Sequence, residues 1–174
     1  MFTTLAIVLL LAVAGPGQAA LSPQLAPLAF LVGEWVTPAG EAGGSAGTAT
    51  FAAGLQGRVL VRTSYAEYPA TSSRPASRHD DLLIVYAAEN GALRADYYDN
   101  EGHVIRYAVQ APSPGQALFV SDASPGNPRY RLQYVLAPGG VLNGRFEIAP
   151  PGKPEAFSPY LVWESRRTAP GAAR

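Results

Sequence analysis

The chain contains no cysteine. That excludes disulfides, thiolate nucleophiles, cysteine-held metals and a lipid anchor behind a cleaved leader. Histidine is almost as scarce, so any imidazole chemistry must use His79 or His103. Charge of one sign is missing too: 13 basic residues balance 13 acidic ones, and only Lys153 among the basic residues is a lysine. No basic field therefore argues for nucleic acid or an anionic membrane surface. No apolar run reaches the roughly 18 residues that span a bilayer as a helix. Phosphate-loop and dinucleotide fingerprints are absent.

What is present begins with a leader-like segment. Leu5 to Ala14 is an apolar run of ten residues. Gly17 and Ala19 form a small-x-small site. This pattern predicts a signal peptide over residues 1–19 and a single domain over 20–174, periplasmic or secreted, with no membrane span in the mature chain. The competing reading is a retained membrane anchor.

The 18 glycines and 16 prolines suit a chain of many turns. Ser22 and Pro23 predict a short helical turn with Leu25, Leu28, Phe30 and Leu31 on its apolar face, limited by Pro27. Ten strands are expected after it: 34–37, 48–53, 58–68, 81–87, 93–99, 103–110, 117–121, 129–136, 142–149 and 157–166. Short strands joined consecutively argue for an all-β, antiparallel up-and-down barrel, which leaves no sheet edge unpaired.

One hairpin sets the register. Leu93, Ala95 and Tyr97 alternate with Arg94, Asp96 and Tyr98. A three-residue loop Asn100-Glu101-Gly102, with Gly102 left-handed, pairs Asp99 with His103. Tyr97 and Ala95 then share a core face with Ile105, Tyr107 and Val109, and Asp96 faces Arg106 on the other side. If the Glu89-Asn90-Gly91 turn also has three residues, Asp81 faces Asp99. Asp81, Asp99 and His103 become one row, able to hold a divalent metal or to act as an acid–base pair. The competing reading is an ordinary solvated hairpin tip.

Loop lengths separate the two ends. Connections such as Gln56-Gly57 and Pro138-Gly139-Gly140 are tight and close one end. Longer, Pro- and Gly-rich connections ring the other, where binding usually resides. His79, in the long 69–80 loop, and His103 converge on that mouth, and Arg74 and Arg78 in the same loop can attract an anion. Tyr65, Tyr97, Tyr107, Tyr130 and Tyr134 are assigned to the lumen, with Arg58, Leu60 and Arg62 on the opposite face of their strand. These rings either line a ligand cavity or fill a solid core. Gly43-Gly44-Ser45-Ala46-Gly47 has the letters of a nucleophile elbow, but it leads into Thr48–Phe51, which reads as a strand rather than a helix.

Gly33-Glu34-Trp35 opens the first strand, and Arg166-Arg167 closes the last. In this the chain resembles the calycin superfamily, in which lipocalins pair a Gly-x-Trp with a late arginine. The resemblance implies a barrel closed by Gly33, Trp35 and Arg166 or Arg167, enclosing a small, mostly apolar ligand. An indole beneath a guanidinium is a cation–π contact suited to a barrel floor. Ten strands and the opening 30–35 are most similar to nitrobindin-like barrels and to uncharacterised bacterial lipocalin-like families. Haem ligation in the nitrobindin-like group implies a C-terminal histidine, and residues 157–167 contain none. No cofactor is therefore predicted, and haem stays possible only through His79, His103 or a tyrosine. Three functions are carried forward: an exported binder of an apolar or amphipathic small molecule, an enzyme using the mouth residues, and an envelope interaction module without a cavity.

Overall fold

The computed structural model describes residues 19–39 and 46–168. Residues 1–18, which hold most of the expected leader, and Ser45 of the elbow-like sequence lie outside the described residues. Ten antiparallel strands close into a barrel in sequence order: β1 (Gly33–Thr37), β2 (Ala46–Gly54), β3 (Val59–Tyr68), β4 (Ser77–Ala87), β5 (Leu93–Asp99), β6 (Val104–Gln110), β7 (Gln116–Ser121), β8 (Arg129–Leu136), β9 (Val141–Ala149) and β10 (Ser158–Arg167). The up-and-down barrel read from the alternating pattern is the fold. The β5–β6 hairpin takes the three-residue loop, with Gly102 at φ +91°, and pairs Asp96 with Arg106. β4 pairs Asp81 with Asp99.

Two local expectations need correction, and a third is met. The helical turn is a 3-10 helix over Ala26–Leu31, with Pro27 at its start rather than Pro23. Proline fits there because its missing N–H would be unpaired in any case. β4 begins at Ser77, so His79 belongs to a strand and not to a loop. Its first residues pair with Tyr65–Tyr68 of β3, and Arg78 stacks on the Tyr65 ring at 4.0 Å. Ala46 and Gly47 are strand residues, so no helix follows the elbow-like sequence.

The 3-10 helix fills the closed end. Leu25, Leu28 and Leu31 are fully buried. Burying each leucine contributes about 2 kcal/mol of transfer free energy. The Trp35 indole N–H donates to Leu31 O at 2.7 Å. Arg167 lies 4.4 Å over the Trp35 ring and donates to the carbonyls of Phe30 and Val32. Of the two candidate arginines the closing residue is Arg167, not Arg166. Trp35 pairs with Arg167 across the β1–β10 seam, whereas Arg166 pairs with Val36 and turns out. Gly33 has φ +131°, and a side chain there would occupy the place of the Arg167 guanidinium.

Above this plug the core is aromatic. Phe51, Tyr134, Phe119 and Tyr107 form successive edge-to-face pairs with centroids 5.6, 6.2 and 6.1 Å apart. Each such pair adds about 1 kcal/mol beyond its buried area. The β1–β10 seam is short. β1 pairs only Trp35 and Val36 with β10, and a Thr37–Ser165 hydroxyl contact of 2.7 Å follows. Beyond it Tyr160 and Val162 of β10 are exposed, at 67% and 63%.

Candidate functional site

The upper lumen is not filled. A cavity of about 810 Å³ runs from the aromatic core to the rim. This lies within the several-hundred-Å³ range that holds a small molecule. Its two walls differ in chemistry because inward side chains alternate along each strand.

The β3–β6 wall is polar. Inward residues of β3 are Leu60, Arg62 and Ser64. Arg62 is buried, donates to Asp81 Oδ1 at 2.5 Å and also donates to the Tyr134 hydroxyl. Ser64 donates to Asp81 Oδ2 at 2.6 Å. Burial works against the Arg62 charge, yet Tyr134 and Asp81 together hold its pKa above the ordinary arginine value, so it stays protonated. Arg62 Nε is enclosed without a hydrogen-bond partner.

A second set of contacts continues toward the rim. His79 Nε2 lies 2.9 Å from the Tyr97 hydroxyl, and His79 Nδ1 lies 3.0 Å from Glu101 Oε1. Tyr97 donates to Asp99 Oδ2 at 3.2 Å. Asp99 also accepts from the backbone N–H groups of Glu101 and His103, and His103 Nδ1 sits 2.8 Å from Asp99 Oδ2. The Asp99 side chain is only 3% exposed, against 57% for His103. Burial alone would raise the Asp99 pKa. The hydrogen bonds from His103 and the N–H of Glu101 outweigh it and hold the carboxyl below the ordinary range. Burial and the Asp81 carboxylate push Tyr97 well up, so its hydroxyl stays protonated.

The opposite wall is aromatic and apolar. Tyr130 and Phe146 stack with planes 11° apart, and Trp163 meets the Tyr134 ring edge-on at 6.0 Å. Trp163 lies flat on Gly144, where any side chain on that residue would strike the indole. A glycine inside a strand often marks such a close approach.

The structure therefore brings Tyr97, Tyr107, Tyr130, Tyr134, His79, Asp81, Asp99 and His103 onto one cavity. Tyr65 lines the cavity as well, but from an unexpected position. It takes the opposite parity to Arg62 and Ser64, and its ring packs under Arg78 with its hydroxyl accepting from Thr48. The reason is electrostatic. Arg62 goes inward because Asp81 and Tyr134 are there to receive it, and that choice gives Val59, Val61 and Tyr65 the other parity. Arg62, Ser64, Glu101 and Trp163 are site residues that the hydrophobic pattern did not single out.

Asp81 and Asp99 each face their own partners, Arg62 and Ser64 on the first and Tyr97, His103 and the backbone N–H groups of Glu101 and His103 on the second. Among the described residues no three His, Asp or Glu side chains are arranged to hold a metal ion. Of the residues able to ligate a haem, His103 lines the cavity with Nδ1 on Asp99 and no protein partner at Nε2 among the described residues. Both His79 nitrogens face protein partners, and β10 carries no histidine. No protein-family model matches the chain, and no curated protein matches it significantly.

Proposed function

We propose that this chain is an exported barrel that binds a small apolar or amphipathic molecule in its lumen. The cavity of about 810 Å³ with one aromatic and one polar wall carries the reading. An apolar wall supplies most of the binding free energy through burial, and a few fixed polar groups orient the ligand. The cavity also counts against a solid interaction module. The leader-like segment supports export.

A second reading rests on the hydrogen-bonded row His79–Tyr97–Asp99–His103 at the mouth. Two imidazoles on a carboxylate and a phenol can relay a proton to a bound substrate. This row gives the enzyme reading its specific footing.

Titration with Nile Red, a neutral apolar dye, tests the first reading. Saturable binding with a fluorescence gain is expected. Ala49→Trp, which places an indole into the lumen from β2, should remove it. Absence of dye binding to the unaltered protein, or binding unchanged by Ala49→Trp, would contradict the proposal.

A further inference from the structure

The cavity contains more than one kind of polar atom, and those already satisfied differ from those still available. Arg62, Asp81, Ser64, His79, Tyr97 and Asp99 are committed to one another. Other lining groups are not, the Tyr130 hydroxyl and His103 Nε2 among them. The Tyr107 hydroxyl and the Trp163 indole N–H have no protein hydrogen-bond partner among the described residues. They are not enclosed either, since the only enclosed and unpartnered side-chain polar atom there is Arg62 Nε. Both residues line the cavity, and Tyr107 is otherwise buried. Both groups are donors, and the indole can only donate.

The charges point the same way. The single deep cation, Arg62, is already matched by Asp81, and its free Nε is walled off from the void. Asp99 adds a second buried carboxylate held in its ionised form. An acid entering the deep lumen would meet two carboxylates and, with Arg62 already matched, no free arginine beside them. At the rim of this cavity Arg78 is held by Asp80 and Glu67, and Arg74 lies over the Tyr68 ring; of the lining arginines the deep lumen has Arg62 alone. Burying a further unpaired negative charge there costs several kcal/mol.

We infer that the lumen selects an uncharged, flat ligand whose hydrogen-bond acceptors, of the carbonyl type, meet the Tyr107 hydroxyl and the Trp163 indole N–H, and that it excludes carboxylic acids of the same shape. This rests on the ligand-binding reading above and sharpens it to a ligand class. The aromatic wall supplies the stacking surface for a planar ring. The two donors supply orientation at no cost in buried unpaired acceptors.

Three probes of one shape separate the possibilities: 2-isopropylnaphthalene, 2-acetylnaphthalene and 2-naphthoate, measured by equilibrium dialysis at neutral pH. The ketone should bind about tenfold tighter than the hydrocarbon, the weight of one good hydrogen bond. Naphthoate should bind at least tenfold more weakly than the ketone. Tyr107→Phe and Trp163→Phe should each narrow the ratio of ketone to hydrocarbon affinity, the indole change also weakening both probes by the stacking surface it removes. Naphthoate binding as tightly as the ketone would overturn the inference, as would a ketone no better than the hydrocarbon or one indifferent to both variants. If all three bind alike the lumen holds ligands without this selectivity. If none binds, the ligand-binding reading falls with it.

Discussion

The two ends of the barrel are held by different physics. The closed end is a plug: Leu25, Leu28 and Leu31 under Trp35, with Arg167 tied to backbone carbonyls above. Its stability comes from apolar burial, which is non-directional and insensitive to pH. The mouth is a polar network built around Arg62–Asp81 and Asp99, set in a wall that leaves space beside it. There each charge is acceptable only because its partner is present. The plug fixes the barrel, and the network shapes what the barrel can hold.

The contrast can be broken from either end. The largest loss is expected at the plug. Trp35→Ala should cost about 4 kcal/mol in chemical denaturation, for the lost indole and the cavity it leaves. Asp81→Ala should cost about 3 kcal/mol, because Arg62 would remain buried without its counter-charge. Here the two ends separate: Arg62→Met with Asp81→Leu should recover most of that loss, whereas no partner substitution recovers Trp35→Ala. A double variant as unstable as Asp81→Ala would show that the network is a net source of stability.

Acid sharpens the comparison further. Asp99 has its pKa lowered by folding, from an ordinary value of 3.8. Its contribution is therefore complete above that value and is lost as pH falls through the lower folded one. Glu147, on the outer wall and held below its ordinary 4.5 by Arg131, acts in the same sense. Asp99→Asn should flatten part of the decline in melting temperature below pH 4 and leave the neutral-pH slope alone. Trp35→Ala should lower the whole curve without changing its slope. The smallest effect is expected at Tyr65→Phe. The change keeps the ring under Arg78 and removes one hydroxyl that accepts from Thr48, so dye affinity should move little, and stability should change by less than about 0.5 kcal/mol.

The strands and their order were legible because alternation and turn residues agree along most of the chain. The β5–β6 register followed from Gly102 and the apolar face together. Alternation failed on β3. There Val59, Val61 and Tyr65 outnumber Leu60 as apolar residues, but the inward set is Leu60, Arg62 and Ser64. The missing signal was available in combination. Asp81 faces inward and pairs with Ser64 on β3, and a buried carboxylate needs a cation on the same face, which Arg62 supplies. Arg166 and Arg167 are adjacent, so only the pairing of Trp35 across the seam could separate them. Trp163 was hidden because its place is fixed by Gly144 on a neighbouring strand, a contact that no single-strand pattern records.

The most direct test is a native mass spectrum of the protein expressed from its full sequence, residues 1–19 included, and gently purified. An occupied lumen predicts an adduct of a few hundred daltons that is lost on denaturation and is missing from the Ala49→Trp protein. A bare protein mass, under conditions where Nile Red also fails to bind, would contradict the account.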